Sequence, residues 1–128
     1  MTPRALPTTT AELRRDAAKN MLEVTLLEHV LDAARKLNWR TAHFRPAQTS
    51  QGWRTAVSGD GKGFPDLVLV NAQMGECLFV ELKSERGDMT DEQKAWLAAL
   101  RSAGQRAYVW TPSQWIQGHI QRVLEGVE

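Results

Sequence analysis

Asp66 and the Glu81-Leu82-Lys83 triplet are the residues of this chain whose types and spacing best suit chemistry. Asp66 closes the stretch Gly63-Phe64-Pro65-Asp66, and fourteen residues separate it from Glu81, each half lying in or beside an apolar run that reads as a strand. Glu81 and Lys83 are two apart, so a strand points both to one face and gives Leu78, Val80 and Leu82 the other, where a helix layer can meet them. Two carboxylates from neighbouring strands can hold a hard cation such as magnesium, which prefers oxygen ligands and keeps several waters. Such a cation polarises a phosphate and activates a water. An amine beside it orients or deprotonates that water and offsets charge developing on the phosphorus oxygens. These are the parts that phosphodiester hydrolysis requires.

Other side chains are placed to assist. Glu23 and Glu28 share a helical stretch in which Leu27, Val30, Leu31 and Ala34 form an apolar face. Glu23 continues that face one turn back, whereas Glu28 lines up with Asp32 and Arg35. Glu23 is therefore the inward acid, able to ligate a metal or a metal-bound water; the plainer alternative is an exposed first-turn acid favoured by the helix dipole. Thr90-Asp91-Glu92-Gln93 is a capping-box pattern ahead of Trp96, Leu97 and Leu100, so Gln93 either bonds back to the Thr90 backbone or reaches the active site. His43, on an expected strand, is a phosphate contact or a satisfied structural histidine. Gly59-Asp60-Gly61-Lys62-Gly63 reads as a flexible turn rather than a phosphate loop, because Gly63 stands where Ser or Thr is needed and no apolar strand leads in.

The pattern Pro-Asp…Glu-x-Lys resembles the PD-(D/E)xK nuclease superfamily, and the fuller set resembles its VRR-NUC branch over roughly 23–124. The matching features are Glu23, Asn38-Trp39, His43, Gly63 to Asp66, Glu81-x-Lys83, Gln93 with Trp96-Leu97, and Ala103-Gly104 through Val109-Trp110-Thr111-Pro112. Two positions depart: Leu27 stands where the family's first helix often carries glutamine, and Asn38 replaces a glycine, a mild change because Asn also tolerates the left-handed conformation that ends a helix. The resemblance implies a restriction-endonuclease-like mixed β-sheet core flanked by helices. It also implies a DNA endonuclease, often homodimeric, that uses Mg2+, with Mn2+ able to substitute, on branched, flapped or junction DNA. Asp66, Glu81 and Glu23 are then the metal ligands, Lys83 and Gln93 the further catalytic residues. A sequence-specific restriction-like nuclease on the same core, or a catalytically silent DNA-binding module, are the alternatives.

Charge supports a nucleic-acid partner through its distribution. The net charge is only +1, but residues 35–62 carry Arg35, Lys36, Arg40, Arg45, Arg54 and Lys62 against Asp60 alone, with Trp39 and Trp53 interleaved. Arg40, His43, Arg45, Arg54 and Lys62 are thus expected to hold a phosphate backbone leading into an acidic metal centre. Five tryptophans in so short a chain suggest that some are exposed for a second copy.

The elements that must position these groups follow from periodicity. After a mobile arm over 1–10, a single α/β domain is expected over 11–128: helical sequence to Lys36 or Leu37, with an open question at Asn20; a strand over 40–45; a long loop through Lys62; and strands over 66–70 and 76–83 joined as a hairpin. A capped helix to about Ala103, a strand over 107–110 and a last helix over 113–124 complete a mixed sheet between helices. With 128 residues, 42% of them hydrophobic, one core is the limit. Cys77 is the one cysteine, and neither a secretory signal nor a membrane-length apolar run is present, so the expected location is cytoplasmic.

Overall fold

A computed structural model describes residues 9–44, 47–50, 52–54 and 57–128, without the side chains of 47–49, 53 and 54. Of the residues expected in the N-terminal arm, 1–8 lie outside the described residues, and Thr9 and Thr10 belong to a helix. Thr9 is already the N-cap of α1 (Thr10–Asn20), its hydroxyl accepting from Glu12 N at 3.1 Å while the Glu12 carboxylate accepts from Thr9 N. The chain then leaves the helix at Met21 and Leu22, both extended, and re-enters it as α2 (Glu23–Lys36). The question raised by Asn20 is answered by a break, and its consequence is functional: Glu23 becomes the first residue of a helix, where a carboxylate is favoured by the helix dipole.

The buried face of α2 is Leu26, Val30, Ala33 and Ala34, with Leu27 and Leu31 half-buried along one flank. By sequence, Leu27 and Leu31 are expected on that face together with Val30 and Ala34. Small Ala33 and Ala34 let the helix settle against the sheet a little further round, so Glu23 is an exposed acid lying over the Leu27 flank rather than pointing into the core. Asn38, at φ +68°, ends α2 in the left-handed conformation, and the Trp39 N–H returns to Ala34 O at 2.9 Å. Trp39 itself is buried, its indole donating to Leu124 O at 2.9 Å.

Four strands form the sheet: β1 (Arg40–His43), β4 (Leu67–Asn71), β5 (Glu76–Leu82) and β6 (Arg106–Trp110), in the order β1-β4-β5-β6. The first two pairings are antiparallel and the last parallel, so the sheet is mixed. The parallel pair requires a crossover, which α3 (Asp91–Ser102) supplies. The expected long loop after β1 instead contains a separate hairpin, β2 (Ala47–Thr49) with β3 (Gly52–Arg54), turned by Gly52 at φ +100°. The expected last helix is two, α4 (Pro112–Ile116) and α5 (His119–Leu124), because Gly118 adopts φ +80° between them.

One face of the sheet presents Leu67, Leu69, Leu78, Val80 and Leu82 to α2 and the C-terminal helices, where Ile120, Val123 and Leu124 complete the core. Val70 points to the other face and is 37% exposed. The run Leu67 to Val70, expected to be buried on both faces, is therefore covered fully on one, because α3 packs over the β6 side of the sheet. Of the tryptophans whose side chains are described, Trp39 and Trp110 are buried and Trp96 and Trp115 half-buried. None offers the exposed ring that the homodimer expectation invoked. No helix among the described residues is long and apolar enough to cross a membrane.

Candidate active site

The antiparallel register that sets Leu67 opposite Val80 carries on by one residue to bring Asp66 opposite Glu81. Alternation puts both carboxylates on the same face, and Lys83 joins them two residues on. The backbone fixes this corner from three sides. Asp66 Oδ2 accepts from Leu82 N at 3.0 Å and Asp66 O accepts from Phe44 N at 2.9 Å, while Lys83 N donates to Trp110 O at 3.1 Å and so extends the parallel ladder beyond β5.

α3 closes the corner. Gly63, at φ +85°, passes so near its first turn that an added Cβ would lie 2.6 Å from Glu92 C and 2.7 Å from Gln93 N. Those are backbone atoms and cannot swing away. Gly63→Ala is accordingly expected to strain the left-handed position and push the loop off α3, lowering stability by about 2 kcal/mol or more in urea unfolding. An unchanged midpoint would show that the loop and helix are less tightly engaged.

That contact lets one side chain do two jobs. Gln93 Oε1 accepts from Thr90 N at 2.9 Å as the capping box predicts, and Gln93 Nε2 donates to Glu81 Oε1 at 2.8 Å. Gln93 therefore makes the cap bond and also reaches Glu81, so the two expected placements of its amide are compatible. Lys83 Nζ stands 3.8 Å from the same Glu81 oxygen. The other oxygen, Oε2, is buried with no hydrogen-bond partner among the described residues.

The electrostatics explain why that oxygen matters. Burial, then the nearby Asp66 charge, push the Glu81 carboxyl up to about 8, against the opposing pull of Lys83. Glu23 is also raised, by burial and then by Asp66, with Lys83 again opposing. Acids this close cannot all ionise cheaply without a cation. Among the described residues, no three His, Cys, Asp or Glu side chains are gathered closely enough to cage a metal ion. The donor set is instead a carboxylate pair, close enough that a proton on Glu81 bonds it to Asp66, with a third acid near by; a hard divalent cation that keeps most of its waters could take that proton's place.

Asp66, Glu81, Lys83 and Gln93 thus meet at one end of the sheet, and Glu23 lines a cavity that Asp66 shares. The expected DNA-binding residues are more scattered. His43 lines a cavity that also touches Glu23 and Asp66. Lys62 lies at the start of α3, paired with Glu92 at 3.4 Å. Arg40 begins β1 three residues from His43, on the opposite face and about 10 Å along the strand. Arg45 lies outside the described residues, as does the side chain of Arg54. Trp39, cited for its place among the basic residues, is core. Phe44, not among the residues expected at the site, lines the same cavity as His43; its 40% exposed ring packs edge-on against Phe64, which in turn meets Trp96 at 5.0 Å. Its position directly after His43 in the basic stretch was the available signal.

Comparison with the curated proteins and with the solved structures finds no significant match. A family model does match: that of the VRR-NUC domain, over residues 11–114. This span contains the whole sheet and every residue of the acidic corner, on a mixed-sheet α/β framework of the restriction-endonuclease-like kind. A nuclease domain of this type works with a divalent metal on DNA, and the chain belongs to the VRR-NUC family.

Proposed function

We propose that the protein is a magnesium-dependent endodeoxyribonuclease that hydrolyses phosphodiester bonds in branched, flapped or junction DNA. The observation that carries this reading is the buried, unpartnered Glu81 Oε2, set opposite Asp66 and beside Lys83. Asp66 and Glu81 would hold the cation, with Glu23 reaching it directly or through a water. The bound metal would polarise the scissile phosphate and activate the attacking water.

The chain's own residues account for the rest. Asp66 commits one oxygen to Leu82 N and so keeps a fixed orientation. Gln93 holds Glu81 Oε1, so that Oε2 is the oxygen left to ligate a cation, were one bound. Lys83, three-quarters enclosed by protein or more, is positioned to orient or deprotonate water and to offset charge on the phosphoryl oxygens. The restriction-like alternative needs an element that reads base edges, and the silent-module alternative needs no ordered set of acids and amine; the corner favours neither.

Cleavage of labelled single-stranded, duplex, flapped and four-way-junction DNA, each with magnesium, manganese or chelator, tests the proposal. Metal-dependent cutting concentrated on the flapped or junction substrate is expected. Cutting that persists in chelator, or binding without cutting under every metal condition, would overturn it.

A further inference from the structure

The acidic corner opens on one side into a groove that the proposed chemistry leaves unused. Its walls are α2 and β1. Next to the carboxylates lies a cavity of about 400 Å³, lined by Val24, Leu27, His43 and Phe44 and sharing Glu23 and Asp66 with the corner. A second cavity, of about 550 Å³, has Val24, Leu27 and His43 in common with the first and continues past Leu31 and Thr41 to Arg35, with Glu28 on its rim. Together they follow α2 from Glu23 to Arg35, roughly 18 Å at the helical rise. That is long enough for several stacked nucleotides at about 3.4 Å each.

The groove is apolar where it meets the catalytic centre. Val24 is 56% and Phe44 40% exposed, and both stand beside residues that would bind a metal and a phosphate. An occupant must therefore be attached to a phosphate and yet present an apolar face. A paired base does not, since its faces are covered by its neighbours and only its edges show in the grooves. An unpaired base does, and aromatic or aliphatic side chains are what such bases stack upon.

We propose that this groove seats an unpaired nucleotide of the DNA next to the scissile phosphate, with Phe44 and Val24 against its base and Arg35 meeting a phosphate farther along the strand. The proposal rests on the nuclease reading and supplies a physical basis for preferring flapped over fully paired DNA. Charge is ordered to match: the cation-binding acids lie at one end of the groove and the exposed Arg35 guanidinium at the other. Phe44 is also held in register with the chemistry, because its N–H donates to the carbonyl of Asp66 at 2.9 Å and its ring rests edge-on against Phe64. A base stacked there keeps its own phosphate at a set distance from the metal ligands.

The test is fluorescence anisotropy in calcium, with a labelled short single-stranded oligonucleotide and a blunt duplex as probes. Phe44→Ala removes a stacking surface but also a contact with Phe64. Val24→Glu is the cleaner variant, since an acid in the first turn of a helix is tolerated and the carboxylate would enter the groove. Each is expected to weaken single-strand binding about tenfold and to reduce the preference for single strand over duplex by a similar factor. An unchanged preference in Val24→Glu would overturn the groove, even if the wild type cuts DNA. Single-strand binding that Val24→Glu abolishes, in a wild type that cuts no DNA with any metal, would uphold the groove and sink the nuclease reading instead.

Discussion

Glu81→Ala and Lys83→Ala are each expected to cut a flapped DNA substrate at least about 100-fold more slowly than the wild type, while keeping the fold. The two substitutions reach the same loss by different routes. Glu81→Ala removes half of the carboxylate pair and leaves Gln93 Nε2 without its 2.8 Å partner, yet it also ends the crowding of Glu81 against Asp66. A lost buried hydrogen bond and a relieved repulsion act in opposite directions, so the net effect on stability is small beside the catalytic loss. Lys83→Ala takes away the amine 3.8 Å from Glu81 Oε1 and leaves the acids more crowded with negative charge, so it is the more destabilising of the two in chelator. Single-turnover cleavage in saturating magnesium, alongside urea unfolding in chelator, separates the two quantities. Near-wild-type rates in either variant would remove that residue from the chemistry.

The corner of Asp66, Glu81 and Lys83 was legible because strand periodicity is strict. Once Leu67 to Val70 and Glu76 to Leu82 read as neighbouring strands, alternation alone placed Asp66, Glu81 and Lys83 on one face. The capping box likewise announced α3 and located Gln93 at its start, although nothing in the pattern said that one amide would serve both the cap and Glu81. What escaped was decided by packing over long sequence separations. The helix break at Met21 and Leu22, the rotation of α2 onto Leu26 and Ala33, and the division of the last helix at Gly118 each depend on what the element packs against, which local propensity does not encode. The expected DNA-binding residues are not gathered in the same way, for a related reason. A basic composition places no charge on a face, and the fold puts Arg40 on the side of β1 away from His43 while Lys62 pairs with Glu92.

In chelator, the thermal stability of the wild type is expected to fall as pH rises from about 5 to 8, which is opposite to the usual behaviour of a buried carboxylate held by a salt bridge. The Glu81 carboxyl is raised from 4.5 to about 8 in the folded chain. A group raised on folding contributes stability that is fully present below its unfolded value and is lost as pH passes up through its folded value. Glu23, raised by the same burial and the same neighbour, adds a contribution of the same sign. Glu92 and Glu128 are lowered, so their contributions are lost only as pH falls toward and below the ordinary carboxylate range and leave this window untouched. Within it the slope approaches about 1.4 kcal/mol per pH unit for each proton released. A divalent cation should reverse the trend, because it binds the ionised pair and competes with the proton that Glu81 otherwise retains. Magnesium is therefore expected to raise the unfolding temperature little at pH 5 and by several degrees at pH 8. Glu81→Gln keeps the shape and the contact with Gln93 but has no proton to lose, so only the Glu23 contribution remains: its unfolding temperature should fall less with pH than that of the wild type and be insensitive to magnesium. Scanning calorimetry of wild type and Glu81→Gln at pH 5 and pH 8, with magnesium and with chelator, reads all of these terms without any DNA present. A wild-type chelator curve that is flat or rises across the window would mean that Asp66 and Glu81 already ionise together without a metal, and the carboxylate pair would lose its standing as the cation site.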